Sequence, residues 1–429
     1  MSTKTIGSSN KTMVQTKRHS NKSTYALIIG VIGLAISIIG LFKGLSQSDP
    51  RPLLGWLIGF SFWFSILIGS LYFIMLFYLF DSGWSVIVRR QFEHAVSGLK
   101  WIALIFSPLL IISLFYDKDP GILWGWLNEE KLLKSAKGHG VDVLYQAKSP
   151  YLSSKFFIIR SVFFFFIWII LAEVFRNVSF SMDRDGNLKH IRRGRVFASI
   201  GVIVTSLSLT FASIDWLKSL DYHWFSTMYG VWFFTSSILA SLATIVIVCY
   251  LFQKQGQSGK IFNNAHFYYL GCLMLAFTIF WAYISFSQYF LVYNANIPEE
   301  TFWYNIREIN SDGTKNSWWW VSLGLLFFHF FFPFLWLLWY KNKFGLRIVF
   351  ISAWILIVHL LDLYWNILPS KIHLPTGDVI RQFNISFWDI SMILGTGGIC
   401  LWAYLRSMEK HKSIPLRDPR ILESINAHE

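Results

Sequence analysis

Long apolar runs alternate with short polar connections along most of the chain. A membrane-crossing helix needs about 20 mostly apolar residues, and ten runs meet this requirement. Helices are expected because lipid cannot satisfy the hydrogen bonds of an open backbone. The predicted spans cover residues 25–42, 53–80, 98–116, 156–175, 196–214, 229–252, 267–292, 318–340, 347–368 and 384–407. The pattern therefore predicts an all-α integral membrane protein, with a polar segment 1–24, a membrane domain 25–407 and a tail 408–429.

The Lys and Arg residues of the connections predict how the chain lies in the membrane. They are more frequent in the amino-terminal segment, the even-numbered connections and the carboxyl tail than in the odd-numbered connections. Residues 176–195 alone contain six of them. Because basic residues concentrate on the cytoplasmic side of membrane proteins, we expect both termini in the cytoplasm. The net charge of +14 then reflects orientation and contact with anionic lipid rather than nucleic-acid binding.

The cysteine pattern argues against a cysteine-held metal centre or a covalently attached haem in this chain. Cys249, Cys272 and Cys400 lie in apolar runs and share no metal-ligand spacing. Since neither Cys-x-x-Cys nor Cys-x-x-Cys-His occurs, we expect no iron–sulfur cluster, structural zinc or covalently attached haem. The sequence also has no Gly-rich phosphate loop and no nucleophile elbow, which argues against nucleotide hydrolysis.

Ionisable side chains inside the apolar runs are the candidate functional residues. His359 and Asp362 lie three residues apart in the ninth span and so share one helix face. A charged Asp at a membrane-helix centre costs about 2.5–3.5 kcal/mol on insertion scales. His329 lies at a matching depth in the eighth span, which Pro333 is expected to kink. We interpret the group as proton-carrying or quinone-bonding; a structural hydrogen-bonded pair and haem b ligation by the two histidines are alternatives.

A polar track is predicted around the connection between the fifth and sixth spans. That connection contains Asp215, Asp221 and His223, and both flanking spans carry hydroxyl trios spaced to share one face. The trios are Ser206, Thr210 and Ser213, and Ser237, Ser241 and Thr244. With Asp389 in the tenth span and Glu173 at the cytoplasmic end of the fourth, they complete the predicted proton path. Snorkelling towards the membrane surface is the alternative role of Asp389 and Glu173.

Two stretches of the sequence resemble a known family. One is SLDYHWFSTMYG at 219–230, and the other combines FWAYISFSQY at 280–289 with NIPEETFWY at 296–304. Together they resemble the second NrfD-type (polysulfide-reductase-like) membrane subunit of bacterial alternative complex III. The resemblance covers the whole membrane portion. It implies two four-helix bundles plus two additional helices.

The resemblance also implies a function. The chain would be a membrane subunit of a respiratory quinol:electron-acceptor (cytochrome c) oxidoreductase in the bacterial cytoplasmic (inner) membrane, oxidising menaquinol and translocating protons. Its expected partners are a sister NrfD-like subunit, an iron–sulfur/molybdopterin-like subunit, multihaem and monohaem cytochrome c subunits, membrane lipid and a terminal oxidase. Haem c and iron–sulfur clusters would belong to those partners. This chain would supply a proton path and a quinone-facing surface; a stand-alone secondary transporter and a purely structural anchor are the alternatives.

Overall fold

Ten membrane helices form most of the protein. The computed structural model describes residues 21–116, 118–128, 132, 142–254, 261–310, 312–369 and 382–427. In these residues ten helices are long and apolar enough to cross a membrane, so the chain is an all-α integral membrane protein, as predicted. They are α1 (Asn21–Gln47), α2 (Arg51–Leu79), α3 (Val86–Phe115), α4 (Ser154–Asp185), α5 (Lys189–Trp216), α6 (Tyr229–Gln253), α7 (Asn264–Ala295), α8 (Ser317–Leu338), α9 (Gly345–Ile367) and α10 (Phe387–Lys410).

Shorter helical pieces occupy several connections. Two long helices also change type: α3 contains a 3-10 turn at Val96–Gly98 and α8 a π turn at Leu326–Phe331. The short α-helices are Val143–Lys148, Pro298–Asn305 and Ile421–Ile425, and the short 3-10 helices are Gly125–Leu127, Lys218–Asp221 and Tyr340–Lys343. We call the side where α1 begins and α10 ends the terminal face, and the other side the opposite face.

The ten helices pack as two bundles and a pair. α2 to α5 form one four-helix bundle, and α6 to α9 form the second. The bundles meet where α2 packs against α6 and α9. α1 and α10 pack against each other, and α10 also contacts α2 and α3. This is the arrangement of two bundles plus two additional helices that the resemblance implies.

α2 is the most deeply buried of the ten helices. Other helices direct large apolar side chains outward, such as Phe42 of α1 and Phe163 of α4, as expected for surfaces that face lipid. By contrast, almost every side chain of α2 is covered by neighbouring helices. Its central residue is Ser65, so a polar group of α2 lies in the middle of the protein.

Glycines allow the α1–α10 pair to approach closely. A Cβ atom added to Gly33 of α1 would lie 2.6 Å from the Cα atom of Gly395 in α10, a distance that real atoms do not adopt. Small residues at membrane-helix contacts permit this backbone approach and the dispersion contacts that come with it. At these glycines α1 and α10 are therefore held together by close packing rather than by charged side chains.

The start of α3 differs from the sequence prediction. The sequence predicts that the third span begins at residue 98, which places Arg89, Arg90 and Glu93 in the preceding connection. In the structure these three side chains are at most 1% exposed, and the helix already begins at Val86. Their charges are compensated from distant parts of the chain: Asp418 and Asp183 accept hydrogen bonds of 2.7 Å from Arg89 and Arg90.

The carboxyl tail packs onto the terminal face. Ser424 donates a hydrogen bond of 2.6 Å to the carbonyl oxygen of Trp84, in the connection between α2 and α3. The same hydroxyl lies 3.1 Å from the ring of His266 at the start of α7. The tail therefore joins the two bundles on this face.

Candidate functional site

Three ionisable side chains from α8 and α9 meet inside the second bundle. His329, His359 and Asp362 each offer one ligand atom, and these atoms lie within 4.8 Å of one another. All three side chains are buried, with at most 2% of their surface exposed. The structure thus brings together the three residues that the sequence singled out by depth and helix face.

The π turn of α8 positions His329. Pro333 has no backbone N–H, so the His329 carbonyl oxygen lacks the partner that a regular α-helix would supply four residues later. The chain responds with a wider turn at Leu326–Phe331, in which Phe332 N–H donates to the Phe327 carbonyl oxygen. π turns of this kind occur often at functional sites. The structure thus shows a π turn that includes His329, and the kink predicted at Pro333 stays a prediction.

Neighbouring helices add two polar partners to the cluster. Ser65 of α2 hydrogen-bonds Nε2 of His359 at 2.9 Å. Trp281 of α7 donates its indole N–H to the Asp362 carboxyl group at 3.1 Å, and its ring stacks on His329 with 3.9 Å between centroids. The cluster therefore touches both bundles at the middle of the membrane domain.

Several ring nitrogens of the cluster have no partner. Both nitrogens of His329 and Nδ1 of His359 are buried without a hydrogen bond among the described residues. A buried polar atom without a partner costs about 1–3 kcal/mol, so such atoms point to a bound proton carrier, water or ion. A role of the cluster in proton transfer and a purely structural role both stay predictions.

The donor set limits which cofactor the cluster could hold. Two imidazoles and a carboxylate suit a small divalent transition-metal ion. Haem b ligation by His329 and His359 would use both imidazoles as axial ligands, and this alternative stays a prediction. The arrangement accommodates a proton or a compact ion.

A chain of polar groups connects Asp362 with the opposite face. The Asn366 side-chain amide donates to the Asp362 carboxyl group at 3.2 Å, and Arg307 donates to the backbone carbonyl oxygen of Asn366 at 3.1 Å. Burial lowers the pKa of Arg307 to about 10, although the nearby Asp221 carboxylate acts in the other direction. Among Asp215, Asp221 and His223 of the connection after α5, Asp221 is therefore the one that acts on this arginine.

Asp215 belongs to a separate ion pair. Arg160 of α4 donates to both of its oxygens, at 2.7 and 3.1 Å, and Asp215 is fully buried. The Arg160 guanidinium also lies 3.8 Å from the centroid of the Tyr151 ring. A bidentate pair of this kind fixes α4 against α5.

His223 also has its own partner, in the preceding connection. Its Nε2 lies 2.8 Å from the Asp142 carboxyl group, which accepts a further hydrogen bond of 2.6 Å from Tyr222. Partial burial raises the pKa of Asp142, but the hydrogen bonds from Tyr222, the Tyr145 backbone and His223 outweigh this and lower it. The pair holds the Val143–Lys148 helix against the connection that follows α5.

Asp389 lies in a third group, at the start of α10. Arg51 donates to both carboxyl oxygens, at 2.7 and 2.6 Å, and Tyr364 donates to one of them at 2.9 Å. Asp389 is fully buried and also caps its own helix through the Ser386 backbone. It is therefore paired within the protein and does not snorkel.

The two hydroxyl trios make mostly local hydrogen bonds. Tyr72 of α2 donates to Ser206 at 2.7 Å, and Ser241 hydrogen-bonds Ser70 of α2 at 2.9 Å. The five hydroxyls that donate to a carbonyl oxygen of their own helix are Ser206, Thr210, Ser213, Ser237 and Thr244. The links from the trios to the protein centre therefore run through α2, and their role in proton transfer stays a prediction.

Glu173 lies in a charged region at the terminal face. Arg176 donates to both of its oxygens, at 2.8 and 2.9 Å, and also to Ser407 of α10 at 3.1 Å. Nearby, Glu93 accepts a 2.6 Å hydrogen bond from Ser179. Sequence reasoning assigned Glu93 to a connection and missed it.

Other contributing residues were also missed, although some signals existed. Asn366 lies four residues after Asp362 and therefore on the same helix face. Trp281 and Ser65 gave no such signal, because only the folded structure brings α2 and α7 to the cluster.

No protein-family model matches this chain, and no curated protein matches its sequence.

Proposed function

We propose that this chain is a membrane subunit of a respiratory quinol:electron-acceptor oxidoreductase of the alternative complex III type, and that it carries protons. The observation that carries the proposal is the buried cluster of His329, His359 and Asp362, with ligand atoms within 4.8 Å of one another. Redox centres would belong to partner subunits.

The chemistry of the cluster supports proton transfer. A relay needs titratable groups within hydrogen-bond reach or one water apart, and two imidazoles with a carboxyl group meet this need. The unpartnered nitrogens of His329 can accept or release a proton without first breaking a hydrogen bond. Asn366 and Arg307 provide polar groups between Asp362 and the opposite face.

A quinone-facing surface is part of the same proposal. Phe327, Phe328 and Phe331 of the π turn have 42–53% of their surface exposed, next to the buried His329. Aromatic rings at a lipid-facing turn suit a lipid-dissolved quinone ring, which stacks on such surfaces. Electron transfer from quinol would then release protons close to the cluster.

The resemblance of 219–230, 280–289 and 296–304 to the second NrfD-type subunit supports the assignment to this class of complex. Part of the resembling sequence lies in the Pro298–Asn305 helix, and Arg307 comes two residues after the end of this helix. We further propose the bacterial cytoplasmic membrane as the location, with the terminal face towards the cytoplasm, because the amino-terminal segment, the even-numbered connections and the carboxyl tail together contain more Lys and Arg residues than the odd-numbered connections.

Purification through an affinity tag on this chain, in mild detergent, tests the assignment. We expect co-purifying subunits with a c-type haem spectrum and iron–sulfur signals, and quinol oxidation by the purified material. A matched purification through an unrelated multi-pass protein of the same membrane controls for adventitious cytochrome. Isolation of the chain without chromophore partners would contradict the proposal and favour a stand-alone transporter.

A further inference from the structure

A basic cavity lies between α3, α4 and α10, near the terminal face. It has a volume of about 160 Å³, and its lining includes Lys100, Arg176, Arg406 and Lys410. No carboxylate is among the residues that line it. Such a concentration of cations, drawn from three different helices, favours an anionic ligand.

The cations of this cavity are not fully neutralised by the protein. Arg176 pairs with Glu173 at 2.8 Å, and Arg406 pairs with Glu409 at 3.1 Å. Lys100 and Lys410, by contrast, form no ion pair with a described residue. The group of four cations thus keeps two positive charges, enough for one phosphate group.

A buried donor provides a second indication of a ligand. Arg176 is 8% exposed, and its Nε atom has no hydrogen-bond partner among the described residues. The rest of its guanidinium group is held by Glu173 and by Ser407 of α10. The remaining N–H is therefore fixed in place and needs an acceptor.

The surroundings of the cavity suit a lipid rather than a free ion. Trp101 and Trp402 line it and pack edge to face, with 4.9 Å between ring centroids. Aromatic pairs of this kind are typical of the headgroup level of a membrane. Deeper in the membrane, Leu104 of α3 and Leu401 of α10 are 61% and 49% exposed, which provides apolar surface for acyl chains.

We propose that this cavity binds the phosphate of an anionic phospholipid. Arg176 would hydrogen-bond the phosphate oxygens while Lys100, Arg406 and Lys410 surround them with positive charge. The two tryptophans would contact the glycerol region. A lipid in this position would join α3 of the first bundle to α10, independently of whether the chain carries protons.

Native mass spectrometry of the full chain tests the proposal. The chain is kept in micelles of a mild detergent, to which equal amounts of phosphatidylglycerol and phosphatidylcholine are added. We expect retention of one phosphatidylglycerol per chain at a defined site. The double variant Lys100→Gln/Lys410→Gln removes the two unpaired cations without touching Arg176. It should retain the anionic lipid at least tenfold less well.

The matched control is Lys189→Gln/Lys254→Gln, which removes two exposed lysines from the same face. It should leave lipid retention unchanged. Equal loss in both double variants would reduce the effect to net charge and overturn the proposal, as would equal retention of phosphatidylcholine. Displacement of the lipid by an equal concentration of inorganic phosphate would assign the cavity to a free anion instead.

Discussion

Ser65 on α2 and His359 on α9 share a hydrogen bond of 2.9 Å at the middle of the membrane domain. Ser65 also donates its hydroxyl hydrogen to the Phe62 carbonyl oxygen at 2.7 Å. Because a serine hydroxyl has a single hydrogen, its oxygen accepts from Nε2–H of His359. This leaves Nδ1 of His359 as the basic nitrogen, and that atom has no partner among the described residues.

Replacement of Ser65 by alanine should therefore impair proton transfer without preventing assembly. Ser65→Ala removes the group that fixes the His359 tautomer and leaves a second buried nitrogen without a partner, at a cost of about 1–3 kcal/mol. We expect a severalfold lower rate of proton movement in vesicles containing the purified complex. Ser61→Ala, one turn away on the same buried helix, is the control. Equal rates in the two variants would separate Ser65 from the proton path.

The ion pair between Arg51 and Asp389 should matter for stability. Arg51→Leu leaves the Asp389 carboxylate, which is fully buried, without its partner, a change that costs about 3–5 kcal/mol. The double variant Arg51→Leu/Asp389→Asn should recover part of this loss. Denaturant unfolding in detergent, followed by helical circular dichroism, measures both effects.

Arg195→Gln is the control for that prediction. It breaks an ion pair with Asp81 in which both side chains are about half exposed, and exposed pairs contribute only about 0–1 kcal/mol. If Arg51→Leu lowers the free energy of unfolding by no more than Arg195→Gln does, the buried pair does not stabilise the fold.

The sequence predicts the parts of the fold that depend on neighbouring residues, and not the parts that depend on contacts between distant residues. The helices are predictable because apolar runs of sufficient length require them, and every predicted span overlaps its helix. Two boundaries differ by ten residues or more: α4 ends at Asp185 instead of residue 175, and α3 begins at Val86 instead of residue 98. α3 shows the reason. Its first turns carry Arg89 and Glu93, and what makes their burial tolerable is Asp418, far away in the sequence. A single sequence does not reveal such long-range compensation.

The candidate site was predictable from the sequence only in part, for the same reason. The shared face of His359 and Asp362 and the matching depth of His329 follow from helix geometry. Their approach to within 4.8 Å depends on the π turn of α8, which the sequence signals only through Pro333. Ser65 was not predictable at all, because nothing in the sequence indicates that α2 packs against the second bundle.

Lys218 should make stability depend on pH. Burial, and to a smaller extent the neighbouring Lys148, lower its pKa from 10.5 to about 8. Between pH 8 and 10.5 the unfolded chain thus binds more protons than the folded one, so stability rises with pH across this window. Below pH 8 the folded protein carries the full penalty of a buried charge.

Lys218→Met should therefore stabilise the protein at pH 7, and its advantage over the unmodified chain should shrink as the pH approaches 10.5. Thermal unfolding in detergent at pH 6 to 10.5 measures this difference. Lys189→Met, at an exposed lysine, should show no such trend. If the unfolding temperatures of Lys218→Met and the unmodified chain differ by the same amount at every pH, Lys218 does not titrate in this window.

The central claim, that the cluster carries protons, is tested most directly by Asp362→Asn in the purified complex, reconstituted into vesicles with an internal pH dye. The asparagine keeps the shape of the side chain but cannot exchange a proton. Asp185→Asn, at an exposed acid of the terminal face, is the control. We predict that Asp362→Asn keeps assembly and quinol oxidation while transmembrane proton movement falls at least tenfold. Unchanged proton movement per electron in Asp362→Asn would contradict the account.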